Sequence, residues 1–77
     1  MEMEEVASGT ISHVGYDPTT QTLAVRFKHG GEYLYEGVSA EAHRALLGAE
    51  SIGKHFMAHV RPHYIGVKVP QAEGVHS

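Results

Sequence analysis

Cysteine is absent from this 77-residue chain, and so is tryptophan. Without a thiol there is no disulfide staple, no thiol nucleophile and no thiolate metal site. Aromatic residues make up 8% of the chain, and four of the six are tyrosine, so any stacking surface has to be built mainly from tyrosine. No stretch approaches the roughly 20 consecutive apolar residues of a membrane span. The start, MEMEEVASG, is acidic and lacks the apolar run of a signal peptide, so a cytoplasmic protein is expected. From Ser51 to Pro70 there is no acidic residue, although that segment holds Lys54, Arg61 and Lys68.

What is present suits one small folded module. Hydrophobic residues form 42% of the chain and charged residues 19%, which separates it from disordered compositions. At this length there is room for one modest core. The net charge of −3 argues against tight non-specific binding to a phosphate backbone. The charge is unevenly placed, however. Glu2, Glu4, Glu5 and Glu73 lie near the ends, and residues 6–70 hold six Lys or Arg against five Asp or Glu. The expected organisation is a flexible acidic leader over 1–8, a single domain over 9–70 and a flexible tail over 71–77.

Thr10–Tyr16 reads as a first strand, with Ser12, Val14 and Tyr16 alternating against Ile11 and His13. Asp17-Pro18 then sets a turn, because Asp17 accepts from the backbone and Pro18 fixes φ. Thr22–Phe27 alternates more cleanly, with Leu23, Val25 and Phe27 on one face. The next turn leaves two registers open. A two-residue Gly30-Gly31 turn sets Phe27 opposite Leu34 and turns Tyr33 and Tyr35 outward beside Arg26 and Lys28. A three-residue loop, His29-Gly30-Gly31, sets Phe27 opposite Tyr33 and Val25 opposite Tyr35. The second is preferred because it leaves Glu36 outside the core, and a one-residue slip reverses every side chain.

Beyond Val38 the period becomes helical. Ser39 is a good N-cap, Glu41 lies in the first turn, and Ala42, Ala45, Leu46 and Ala49 form a stripe. Ser51 can cap a second helix in which Ile52, Phe56 and Val60 recur every four residues, and Pro62 cannot extend it. Residues 65–69 are either a short edge strand, with Val67 and Val69 inward and Lys68 outward, or an extended tail. The fold expected is α+β: a three-stranded antiparallel meander packed by two short helices, with or without that last strand.

Three motifs together resemble the KTSC domain, named for its occurrence at the C-terminus of some lysyl-tRNA synthetases and found alone in small bacterial and phage proteins. They are Gly15-Tyr16-Asp17, Tyr33-Leu34-Tyr35, and the A-x-S-x-G-x-x-F element formed by Ala49, Ser51, Gly53 and Phe56. The likeness runs from Ile11 to Tyr64. Members often have proline after the valine preceding the first helix; here Ser39 stands there, and both residues suit a helix start. The synthetase association implies an RNA-binding role, and no catalytic residue carries over.

The residues themselves point to surfaces and not to chemistry. His55 and His59 share a helix face, but His63 lies past Pro62, and no glutamate follows His55 as in a zinc-protease helix, so no metal and no cofactor are expected. Ser51 lacks a base with a carboxylate orienter, which argues against an enzyme. Lys54, His55, Arg61, His63 and Lys68 can form a positive surface for RNA, with Arg26 and Lys28 forming another. Ser51 and Gly53 offer backbone N–H groups to an anion beside Lys54. Tyr16, Tyr33, Tyr35 and Tyr64 are the candidate stacking residues, since single-stranded RNA is held by aromatic faces beside cations. The competing partner is a protein, bound at a strand edge, or a second copy of the chain. Met57, Arg61 and Tyr64 belong to residue types favoured in such interfaces.

Overall fold

The structure is a computed structural model and describes residues 2–69. The expected tail over 71–77 lies outside the described residues. The chain forms β1 (Met3–Glu5), β2 (Ile11–Asp17), β3 (Thr22–Phe27), β4 (Glu32–Tyr35), α1 (Ala40–Leu47), α2 (Ile52–His55) and β5 (Gly66–Lys68). After His55 the second helix continues as a π-helical segment, Phe56–Val60. The strands form one antiparallel sheet in the order β1-β2-β3-β4-β5.

The three-stranded meander is therefore corrected to five strands. Residues 3–5, expected as loose leader, pair Met3 with Gly15, Glu4 with Val14 and Glu5 with His13. Their Met-Glu alternation lacks the β-branched and aromatic residues that mark a strand. On an edge those carboxylates can stay in water, and edge charges also discourage unwanted pairing. At the other edge β5 pairs with β4, and Val69 N–H donates to Glu32 O at 2.8 Å. Its facing is the reverse of the expected one. Val67 pairs with Leu34 on the face away from the core, while Lys68 pairs with Tyr33 on the core side.

Local chemistry explains the connections. Asp17 Oδ1 accepts from Thr19 N–H at 3.0 Å, making the expected turn. Gln21 closes that turn with φ +56°, a left-handed conformation that is unusual without glycine. The β3–β4 hairpin has a three-residue loop, but it comprises Lys28, His29 and Gly30. Val25 stands opposite Tyr33 and Leu23 opposite Tyr35, two residues from the expected register. Because the slip is even, Tyr33 and Tyr35 keep the expected face. Gly30 and Gly31 have φ of +107° and +92°, which only glycine adopts readily.

A bulge between Ile11 and His13 resets the first long strand. Strict alternation separates Ile11 from Val14, yet both are at most 1% exposed, because the extra residue returns Val14 to the core face. Ser39 caps α1 by accepting from Ala42 N–H at 3.1 Å, and Ser51 caps α2 by accepting from Lys54 N–H at 3.3 Å. Within the α1 stripe only Leu46 is fully buried, and Ala45 is exposed.

The second helix changes its winding partway along. Residues four apart drift about 40° round an α-helix per step, which spreads Ile52, Phe56 and Val60 over about 80° of a regular helix. The wider π turn, with Arg61 N–H donating to Phe56 O at 2.9 Å, absorbs that drift. All three are buried, together with Ile11, Val14, Leu23, Val25, Tyr35, Val38 and Leu46.

Candidate functional site

The β3–β4 hairpin and the π turn leave a cleft of about 270 Å³ between them. Its walls are Phe27, Tyr33, Tyr35 and Phe56, with Thr10, His29, Met57 and Arg61 around them. The rings form a connected set. Phe27 meets Tyr33 edge-to-face at 5.7 Å and Phe56 at 5.6 Å, and Tyr35 meets Phe56 at 5.4 Å. His29 lies parallel to Phe27 at 5.7 Å. Such edge-to-face packing fixes the rings, so the cleft is preformed.

Each wall has a local cause. The even register brings Tyr33 and Tyr35 to the core side of β4. Phe56, Met57 and Arg61 come to one side of the helix because the π turn opens between them. Arg61 Nη1 lies 4.0 Å from Met57 Sδ. Among the described residues the one ion pair joins Arg26 to Glu32 at 3.0 Å on the opposite face of the sheet. Arg61 thus has no carboxylate partner there, while Arg26 is already neutralised. Burial pushes the Tyr35 hydroxyl pKa up, the Arg61 cation pulls it back, and Tyr33 adds to the rise. Tyr35 accordingly stays a neutral hydroxyl at physiological pH, a donor beside a cation.

A second, shallower groove adjoins the cleft, lined by Ser8, Gly9, Thr10, Ser51, Gly53, Lys54, Met57 and Ala58. Among the described residues, neither depression has an acidic residue in its lining.

The residues expected from sequence divide clearly. Tyr33, Tyr35 and Arg61 meet in the cleft, and Ser51, Gly53 and Lys54 meet in the groove. Lys68 stands next to Tyr33 on β5. His55 and His59 approach each other, with ring centroids 4.7 Å apart, but line neither depression. Exposed His63 follows the helix, and half-buried Tyr64 packs against the core. Tyr16 is occupied structurally: its hydroxyl donates to Val38 O at 2.5 Å and its ring stacks on His43 at 4.5 Å. Sequence reasoning missed Thr10, His29 and the aromatic walls Phe27 and Phe56. The alternation of β3 already placed Phe27 on the tyrosine face, and that signal could have found it.

Among the described residues no group of three His, Asp or Glu side chains could hold a metal ion, and no helix is long and apolar enough to cross a membrane.

A family model described as the KTSC domain matches residues 7–64. An uncharacterised protein of Stutzerimonas stutzeri strain A1501 is 42% identical over 65 residues, covering 83% of this chain and 92% of that protein. A protein of Tsukamurella paurometabola is 43% identical over 65 residues, covering 84% and 97%. The crystal structure of a KTSC domain protein from Yersinia pestis superposes with a TM-score of 0.86 at 30% identity, covering 90% of this chain and 97% of that one.

Proposed function

Since this chain belongs to the KTSC domain family, and its aromatic cleft carries a cation and, among the described residues, no acid, we propose that it is a binding module for single-stranded RNA. A base lies in the opening against the half-buried Tyr33 ring, beside the edge of Phe27, and Arg61 and His29 face the backbone. The observation that carries this reading is the coincidence of preformed rings and a guanidinium that has no carboxylate partner among the described residues, both in one opening. Its size supports one ring system: about 270 Å³ lies just under the range of pockets that enclose drug-sized molecules.

Fluorescence anisotropy with a labelled unstructured RNA decamer tests it. Tyr33→Leu keeps an apolar side chain but removes the stacking face. Stacking is worth about 1–3 kcal/mol per base, so affinity falls roughly 5- to 150-fold with circular dichroism unchanged. Arg61→Ala weakens binding and flattens its salt dependence. An unaltered affinity in the well-folded Tyr33→Leu protein would refute the base-in-cleft reading.

A protein-interaction adaptor is the second reading, favoured by the β5 edge. Ile65 is 85% exposed and Val67 58% exposed, beside backbone groups that an extended partner strand can pair with. That association would resist salt and disappear when proline replaces Lys68, whose N–H, alternating with that of Val69, points to the free edge.

A further inference from the structure

Thr10 and Met57 line both the cleft and the groove, so the two depressions abut across these two side chains. Their chemistry differs. The cleft has rings; the groove has no ring, one ammonium from Lys54, and two serine hydroxyls. Ser8 Oγ accepts from the N–H groups of Thr10 and Ile11, each at 3.2 Å, and Ser51 Oγ accepts from Lys54 N–H at 3.3 Å. Each serine oxygen is thereby fixed in place by backbone, and each keeps its own proton to donate. Gly53 sets the groove's width. A Cβ there would lie 3.3 Å from Ser8 Oγ, a tight approach at which the serine side chain has to give slightly, and in ordinary contact with Thr10 Cβ at 3.6 Å.

Three hydroxyl groups, of Ser8, Ser51 and Thr10, and a cation, with no carboxylate among the described residues of the lining, suit a phosphodiester. Nothing in the groove can stack a base. Resting on the RNA reading above, we infer that cleft and groove are successive subsites of one strand. One base occupies the cleft, and its adjoining inter-nucleotide phosphate crosses Met57 to lie against Lys54, Ser8 and Ser51. The unit recognised is therefore one base plus one phosphodiester, and not a nucleobase alone.

The test compares adenosine with the dinucleoside monophosphate ApA, both titrated into the full chain and followed by NMR. ApA is expected to bind more tightly by roughly two- to tenfold, the range of one net hydrogen bond, with shifts at Lys54 and Ser8 absent from the adenosine titration. In Lys54→Ala the ratio of the two affinities collapses toward one. Adenosine shifting the cleft, with ApA no tighter or with its advantage surviving Lys54→Ala, would overturn the phosphate subsite and leave the RNA reading standing. A decamer that binds while ApA does not would also overturn it. If the decamer, ApA and adenosine all fail to bind, the RNA reading falls first and this inference with it.

Discussion

Replacing Gly66 by alanine sets two physical expectations against each other, and their signs differ. Glycine inside a strand ordinarily destabilises by roughly 0.5–1 kcal/mol relative to alanine, through backbone entropy. On that ground alone Gly66→Ala should stabilise. The structure says otherwise. A Cβ on Gly66 would lie 2.5 Å from Tyr35 Cε2, 2.8 Å from Cζ and 3.0 Å from the hydroxyl oxygen. The ring cannot swing aside freely, since Tyr35 is 5% exposed and packs edge-to-face on Phe56. Overpacking of this kind costs about 1–3 kcal/mol, and subtracting the entropy gain leaves a net loss of up to about 2.5 kcal/mol. At 4–8 °C per kcal/mol for a domain of this size, the melting temperature falls by up to roughly 20 °C. Part of the strain can be released by lifting β5, whose three residues are all exposed. Hydrogen exchange at Val69, which donates to Glu32 O, should then accelerate. Thermal unfolding reads the sign, and Tyr35→Leu combined with Gly66→Ala reads the cause, because the clash vanishes with the ring. A Gly66→Ala protein as stable as the parent, with Val69 exchange unchanged, would refute the packing of Tyr35 against β5.

Phe56→Ala removes the ring shared by the core and the cleft; about 3–5 kcal/mol is lost, enough to unfold much of a small domain and collapse its NMR dispersion. Gln21→Gly is expected to raise stability in urea unfolding by about 0.5–1 kcal/mol, since the left-handed conformation costs a non-glycine residue roughly 1–2 kcal/mol and the Val38 N–H to Gln21 O bond is backbone only. Burial holds the His43 pKa below its ordinary value, opposed by Glu4 and assisted by Arg44. The unfolded chain therefore protonates first, so stability is full above pH 6.5 and declines as pH falls through and below it. His43→Gln, followed by urea unfolding between pH 5 and 8, should remove part of that slope.

The features legible in the sequence were those set within a few residues. Asp17, Ser39 and Ser51 each satisfy nearby N–H groups, and each does so as expected. The facing of Tyr33 and Tyr35 followed from keeping Glu36 out of the core, although the register itself slipped by two. What escaped depends on partners far along the chain. Met3–Glu5 is a strand only because β2 offers an edge to it. The bulge beside Ser12 exists because Ile11 and Val14 both reach the same core. The π turn lies where Phe56 and Val60 are buried together with Ile52 against the sheet, and their four-residue spacing is equally compatible with a regular α-helix. The cleft inherits all three kinds of event, which is why half of its lining was found and the other half was not.

The same geometry limits what the site can bind. Only the charge near the openings matters at physiological ionic strength, where the screening length is about 8 Å. Arg61 and Lys54 face the two depressions without a carboxylate in either lining, while Glu4 and Glu5 stand on the β1 edge. Two cations, each neutralising one phosphate of a single strand, give a salt slope of only about −1.4. Backbone neutralisation is then too weak to retain a long strand by itself. Stacking in the cleft has to supply most of the affinity, and the ligand has to be read at one base with its neighbouring phosphate. A slope several times steeper would require cations that the cleft and groove do not have, and would move the binding surface elsewhere on the sheet.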